Sequence, residues 1–81
     1  MNVDLLRRIV GGKFRFDADP RDPASLAALA AVVDELHALH ALGYVQKPVT
    51  SRNGLTRHGG YSVAIAPPTE AGKLALAALD G

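Results

Sequence analysis

The sequence has no cysteine. That absence removes disulfide scaffolds, cysteine-based zinc sites and thiol nucleophiles together. Aromatic residues are scarce as well, 5% against a hydrophobic share of 48%, so the core must be built from Leu, Val, Ile and Ala. Thin side chains of that kind suit close helical packing and leave little scope for a deep substrate cavity. No apolar run approaches the roughly 20 residues of a membrane span. The first such run, Leu5-Leu6 and Ile9-Val10, is broken by Arg7-Arg8 and ends at Gly11-Gly12, which is not a signal-peptide pattern. The expectation is a cytoplasmic protein without membrane contact. At 81 residues the chain suffices for one domain, 1–81, with a modest core and a small stability margin.

The signatures of catalysis and of bound cofactors are missing too. Neither Gly-x-Gly-x-x-Gly nor Gly-Lys-Ser/Thr occurs, so there is no dinucleotide fingerprint or phosphate loop. Ser51 and His58 have no Gly-x-Ser-x-Gly elbow to hold them in a triad. Asp17-x-Asp19 opens like a calcium loop, but Asp22 and Ala28 stand where that loop requires Gly and Glu. His37 and His40 lie at i, i+3 with His58 further on, and no thiol or carboxylate completes a metal set. The expectation is therefore no enzyme, no metal and no cofactor.

What the chain does have is an uneven charge. The net charge is +1, yet residues 44–66 hold Lys47, Arg52 and Arg57 with no acid, while the remainder holds six basic and eight acidic side chains. The positive charge is concentrated where two strand-like runs flank a polar, glycine-containing stretch. That stretch, Thr50 to Gly60, contains Asn53-Gly54 and Gly59-Gly60, both turn signals, and reads as a long hairpin tip.

The remaining elements follow from spacing and caps. Asn2 caps a first helix whose Leu5/Ile9 and Leu6/Val10 repeat at i, i+4, and Gly11-Gly12 stops it. Lys13 to Asp17 alternates, with Phe14 and Phe16 on one face, as a short half-buried strand does. Asp22 and Pro23 then suit the start of a central helix over Pro23–Leu42, in which Leu26, Leu29, Val33, Leu36, Leu39 and Leu42 form one side. Gly43 is its natural stop. Tyr44 to Val49 reads as a strand in which Pro48, lacking an amide donor, implies an edge position or a ladder ending there, and Tyr61 to Ala66 as another with Tyr61, Val63 and Ile65 on one face. Thr69 caps a last helix carrying Leu74, Leu76 and Leu79.

Two segments, Leu36-x-x-Leu39-x-x-Leu42-Gly43-Tyr44-Val45 and Thr69-x-x-Gly72-x-x-x-Leu76, together with this element order, resemble the winged helix-turn-helix DNA-binding domains. The likeness is to small single-domain winged-helix proteins of bacteria and phages and, more distantly, to regulators of the multiple-antibiotic-resistance and phenolic-acid-decarboxylase types. Two departures stand out. Pro68 replaces the usual Leu before Thr69, and the central segment has no turn dividing it into two helices, so the turn is either hidden among alanines or the short second helix is fused to the third.

The resemblance implies an α+β winged helix, with a three-stranded antiparallel sheet against a helical core, that binds double-stranded DNA as a homodimeric transcription regulator. It implies a wing contact through Lys47, Arg52, Asn53 and Arg57, with Arg15, Arg21 and His37 as secondary contacts. The central helix is poorly equipped to read bases. Its outer side offers Ala27, Ala31, Asp34, Glu35, His37 and Ala38, where Arg, Lys, Asn or Gln would be wanted. The alternative function is a protein–protein interaction module without DNA binding, with Leu74, Leu76 and Leu79 as the dimer or partner surface.

Overall fold

A computed structural model describes residues 2–51 and 62–80. The helix α1 spans Val3–Val10, the strand β1 Arg15–Asp17, the helix α2 Pro23–Ala41, the strands β2 and β3 Val49–Ser51 and Val63–Ile65, and the helix α3 Glu70–Asp80. The fold is α+β, with three helices and an open antiparallel sheet of order β1-β3-β2 among the described residues.

Local chemistry sets the helix boundaries. The Asn2 side chain accepts from the Leu5 amide at 3.0 Å, and that of Asp22 accepts from the Ala24 amide at 3.0 Å, so both N-termini have an orphan donor satisfied. The C-termini of α1 and α2 close in the same way. Gly12 and Gly43 have φ of +102° and +80°, and behind them the Lys13 and Tyr44 amides donate to Arg8 and Leu39 carbonyls at 2.9 and 3.0 Å. These are Schellman closures, which require the left-handed backbone that glycine adopts at little cost.

α2 is one uninterrupted helix, so neither a hidden turn nor a separate second helix divides it. Leu29, Val33, Leu36 and Leu39 are buried and Leu26 is half-buried. Leu42 departs from the expectation: it caps the helix and is 53% exposed. These side chains meet Leu5, Leu6 and Ile9 of α1, Ala64 and Ala66 of the β3 region, Val45 and Leu76 in one core. Each leucine fully buried there contributes on the order of 2–3 kcal/mol.

The strands are shorter than the alternation predicts. β1 is limited to Arg15–Asp17, although Phe14 and Phe16 do turn inward and Arg15 outward. β2 begins at Val49, the residue at which the sequence pattern ends a strand. Pro48 is buried and has no amide to donate, so pairing resumes only after it, and upstream just Val45 makes an isolated bridge, to Pro68. In β3 the face that turns to the core is Ser62, Ala64 and Ala66, while Val63 and Ile65 are half-buried. Val63 and Ile65 thus share a face, as the alternation predicts, and it is the face away from the core. The row Phe16–Ala64–Thr50 faces the helices, and close approach of α2 favours alanine there. Tyr61 lies outside the described residues.

The last helix is docked by a compact set of contacts. The Thr69 hydroxyl donates to the Gly43 carbonyl at 2.6 Å and accepts from the Gly72 amide at 3.1 Å, and the Thr69 amide donates to the Tyr44 carbonyl at 3.1 Å. Gly72 sits directly on this strand-like segment. A Cβ at that position would overlap the Tyr44 carbonyl oxygen and come within 2.9 Å of its carbon, against backbone that has no room to yield. Thus the two sequence segments that carry the winged-helix resemblance are in contact with each other. On α3 itself Leu76 is a core residue, 7% exposed, which removes it from the expected dimer surface. Leu74 and Leu79 remain 69% and 56% exposed.

At the other end of α3, Arg7 reaches Asp80 at 2.6 Å and Asp4 at 3.3 Å, linking α1 to α3. The hydrogen bond from Arg7 holds the Asp80 carboxyl below its ordinary range and raises the guanidinium in turn.

Two outcomes are expected. Gly72→Ala should destabilise the fold by about 3 kcal/mol or more, because the clash is with backbone. Gly43→Ala, which meets only the left-handed strain, should cost about 1–2 kcal/mol. Thermal melts separate the two, since each kcal/mol moves Tm by about 4–8 °C in a domain of this size. The second concerns pH. Asp80 is depressed in the folded state, so its contribution is complete above the unfolded carboxylate pKa and fades as pH falls through the lower folded one. Urea titrations should show the advantage of the native chain over Asp80→Asn shrinking below about pH 4 and staying flat between pH 5 and 8.

Candidate functional site

The segment with the strongest positive bias is held at both ends by the sheet. Ser51 registers with Val63, and the Ser62 amide donates to the Ser51 carbonyl at 2.9 Å, so residues 51 and 62 are adjacent. Arg52, Asn53 and Arg57 belong to the connection between them and lie outside the described residues. Lys47 is described and exposed. Buried Val45 and Pro48 anchor the chain on either side of it, and the Gln46 amide donates to the Pro67 carbonyl at 2.9 Å, so Lys47 leaves an anchored backbone for solvent.

The secondary contacts do not gather around Lys47. Arg15 lies on β1, one edge of the sheet, and β2 forms the other edge with β3 between them. Arg15, Ile65 and Val49 share an outward-facing row, about 10 Å across from edge to edge. Arg15 is partly occupied, with its Nε 3.4 Å from the Asp17 carboxylate. Arg21 sits in the turn before α2, where its amide donates to Asp19 at 2.9 Å and its side chain makes no ion pair among the described residues. His37 is on the solvent side of α2. The described cations are therefore dispersed over the sheet edge, the turn and the helix.

Clefts occur elsewhere, against α1. One, of about 410 Å³, runs between α1 and α2 over Leu5 and Val32, with Arg8, Asp4 and Glu35 among its polar walls. A shallower one, of about 280 Å³, brings Arg7, Arg8 and Lys13 together with Asp4 and Gly11. Arg7 and Arg8 are both exposed on α1. Their sharing of a cleft with Lys13 depends on the Gly11-Gly12 reversal, which turns the chain back beside the helix. Arg7 is already committed to Asp80 and Asp4.

No group of three or more His, Cys, Asp or Glu side chains is placed to hold a metal among the described residues. A ring nitrogen of His40, Nδ1, is 3.0 Å from the Val45 carbonyl oxygen, so that ring is engaged in closing the end of α2. α2 is long and apolar enough, by length and composition, to cross a membrane. The expectation that no segment approaches a membrane span therefore does not hold for α2 on this test, much of whose apolar character comes from alanine, although Asp34 and Glu35 interrupt it.

No protein-family model matches the chain, and searches of curated proteins and of solved structures give no match.

Proposed function

We propose that this chain is a winged-helix-type domain that holds double-stranded DNA chiefly by its phosphate backbone, and that its role is regulatory binding in the cytoplasm and not catalysis. The observation that carries this reading is the confinement of Lys47, Arg52 and Arg57, with no acid, to residues 44–66. That segment includes a connection whose ends are pinned by a sheet, a favourable mount for contacts that track phosphate. Asn53, Ser51 and Thr50 add neutral donors. The element order and the antiparallel sheet are in keeping with a winged helix, with α2 standing where the family has two helices.

α2 is not the reading element in this proposal. Its exposed Ala27, Ala31, Ala38, Asp34 and Glu35 offer neither donors to base edges nor attraction to phosphate. Discrimination between sequences is accordingly weak. The same two acids favour a second reading, a protein–protein interaction module without DNA binding, in which they face a protein.

Fluorescence anisotropy of a labelled mixed-sequence duplex, titrated at two salt concentrations, separates the readings. DNA binding through the hairpin should give a log–log salt slope near −3 per protomer. Replacing Arg52 and Arg57 with Ala should weaken binding to all sequences about equally and flatten that slope by about 2. No binding at low salt, or an affinity indifferent to both replacements, rejects the hairpin and leaves the interaction module.

A further inference from the structure

The two phenylalanines of the chain lie at an edge and not at the centre of the core. Phe14 and Phe16 are half-buried on the helix side of β1, where they reach only the margin of the core. Aromatic surface beside an unpaired strand edge is a place where another strand adds.

The backbone of that edge is open in a definite phase. The Ala66 amide donates to the Phe14 carbonyl at 3.0 Å and the Ala18 amide to the Ser62 carbonyl at 2.8 Å, so the even-numbered residues of β1 turn their peptide groups toward β3. Arg15 and Asp17, both exposed, turn theirs outward, each with a donor and an acceptor that have no partner among the described residues. The opening stops at both ends, because the Lys13 amide donates to the Arg8 carbonyl and the Asp19 amide to the Ser25 hydroxyl. The β2 edge is poorer. By the same alternation only Thr50 faces outward there, and Pro48 has no amide to offer.

We infer that the β1 edge pairs with the β1 edge of a second copy of the chain, antiparallel about a two-fold axis at Phe16, so that two three-stranded sheets join in the order β2-β3-β1-β1-β3-β2. Sign selects this partner. Even spacing is common to all strands, but Lys13-Phe14-Arg15-Phe16-Asp17-Ala18-Asp19 carries its cations before the centre and its anions after it. In this register Arg15 stands opposite the partner's Asp17 and Lys13 opposite the partner's Asp19, and the axis makes each pair twice. Moving the axis to Arg15 or to Asp17 sets like charges face to face, as does parallel pairing in register.

The backbone phase agrees with the charges. Arg15 and the partner's Asp17 form a hydrogen-bonded pair that exchanges both N–H···O bonds, which satisfies every outward group named above. Phe16 meets the partner's Phe16 in the closer, non-hydrogen-bonded pairing, and the aromatic edge gains its cover. Within one chain the Arg15 Nε is already 3.4 Å from the Asp17 carboxylate. Dimerisation keeps that contact, since the four charges then alternate around a closed square. Neither Lys13 nor Asp19 takes part in an ion pair among the described residues, so both are open to the partner. A foreign strand matches the backbone equally well, whereas this chain matches the charges too, as an isologous interface demands. The inference does not rest on the DNA reading, and its tests contain no nucleic acid.

Sign changes on this exposed edge test the pairing without touching the core. Sedimentation equilibrium of the native chain at low salt should show monomer and dimer in equilibrium. Arg15→Asp and Asp17→Arg should each weaken self-association by about tenfold or more, because each turns two unlike pairs into like ones. An equimolar mixture of the two variants should associate again, since one is acidic and the other basic on both sides of the axis. The double variant Arg15→Asp/Asp17→Arg should recover most of the native affinity. Hydrogen exchange at the Arg15 and Asp17 amides should slow as the protein concentration rises. Circular dichroism checks that each variant keeps its fold. A monomer at all concentrations up to about 1 mM, a dimer indifferent to the sign changes, variants that stay apart on mixing, or a dimer lost on Leu74→Glu would overturn the inference, the first by leaving the edge to a foreign strand or to solvent and the last by giving the interface to α3.

Discussion

Contact between Gly72 and the Tyr44 carbonyl is the constraint on which the arrangement of the second half depends. Because α3 has no side chain at that point, its first turn lies directly against the segment leaving α2, and Thr69 bonds to that segment through both its hydroxyl and its amide. Val45 is thereby held in the core with Leu76, and Gln46 is tied to Pro67. The anchoring continues through buried Pro48 into β2, and from β2 into the pairing of Ser51 with Val63. A hydrophobic core alone would supply cohesion without fixing these positions. Backbone contact and directional hydrogen bonds supply the register.

The placement of residues 51 and 62, the two ends of the basic connection, is thus inherited from a helix docking some distance away in sequence. The core side of β3 carries alanines because α2 must come close, and α2 must come close because α1 and α3 bring only medium-sized aliphatic side chains. The division is sharp: the core side of α2 is Leu29, Val33, Leu36 and Leu39, its alanines are all exposed, and the small residues of the core, Ala64 and Ala66, stand opposite it.

Much of the fold was legible in the sequence where the determinant is local. Asn2, Asp22 and Thr69 as caps, Gly12 and Gly43 as left-handed stops, and the inward stripe of α2 depend on a few neighbouring residues. The continuity of α2 was also implied by the lack of any breaker between Pro23 and Ala41. Legibility failed where tertiary packing decides. Pro48 does bound the ladder, but β2 lies downstream of it where the strand was expected upstream, because the buried ring anchors the chain before pairing begins. Val63 and Ile65 lost the core to smaller Ala64 and Ala66, since burial in β3 is set by the distance to α2 and not by hydrophobicity. Leu76 differs from Leu74 and Leu79 only through the rotation of α3, which Gly72 determines and which leucine spacing leaves open. Of the site residues, Lys47, Arg15, Arg21 and His37 are exposed as expected, while Arg52, Asn53 and Arg57 lie outside the described residues. The cleft holding Arg8 and Glu35 could not be read from either helix separately.

Pinning residues 51 and 62 to each other has an evolutionary side. Once the ends of a connection are fixed by backbone pairing, the chain between them can lengthen at low thermodynamic cost, about 0.6 kcal/mol for each doubling of a flexible loop. The domain therefore separates a backbone-paired frame from a connection whose length and charge can vary, so that a change of what it touches need not be accompanied by a change of how it folds.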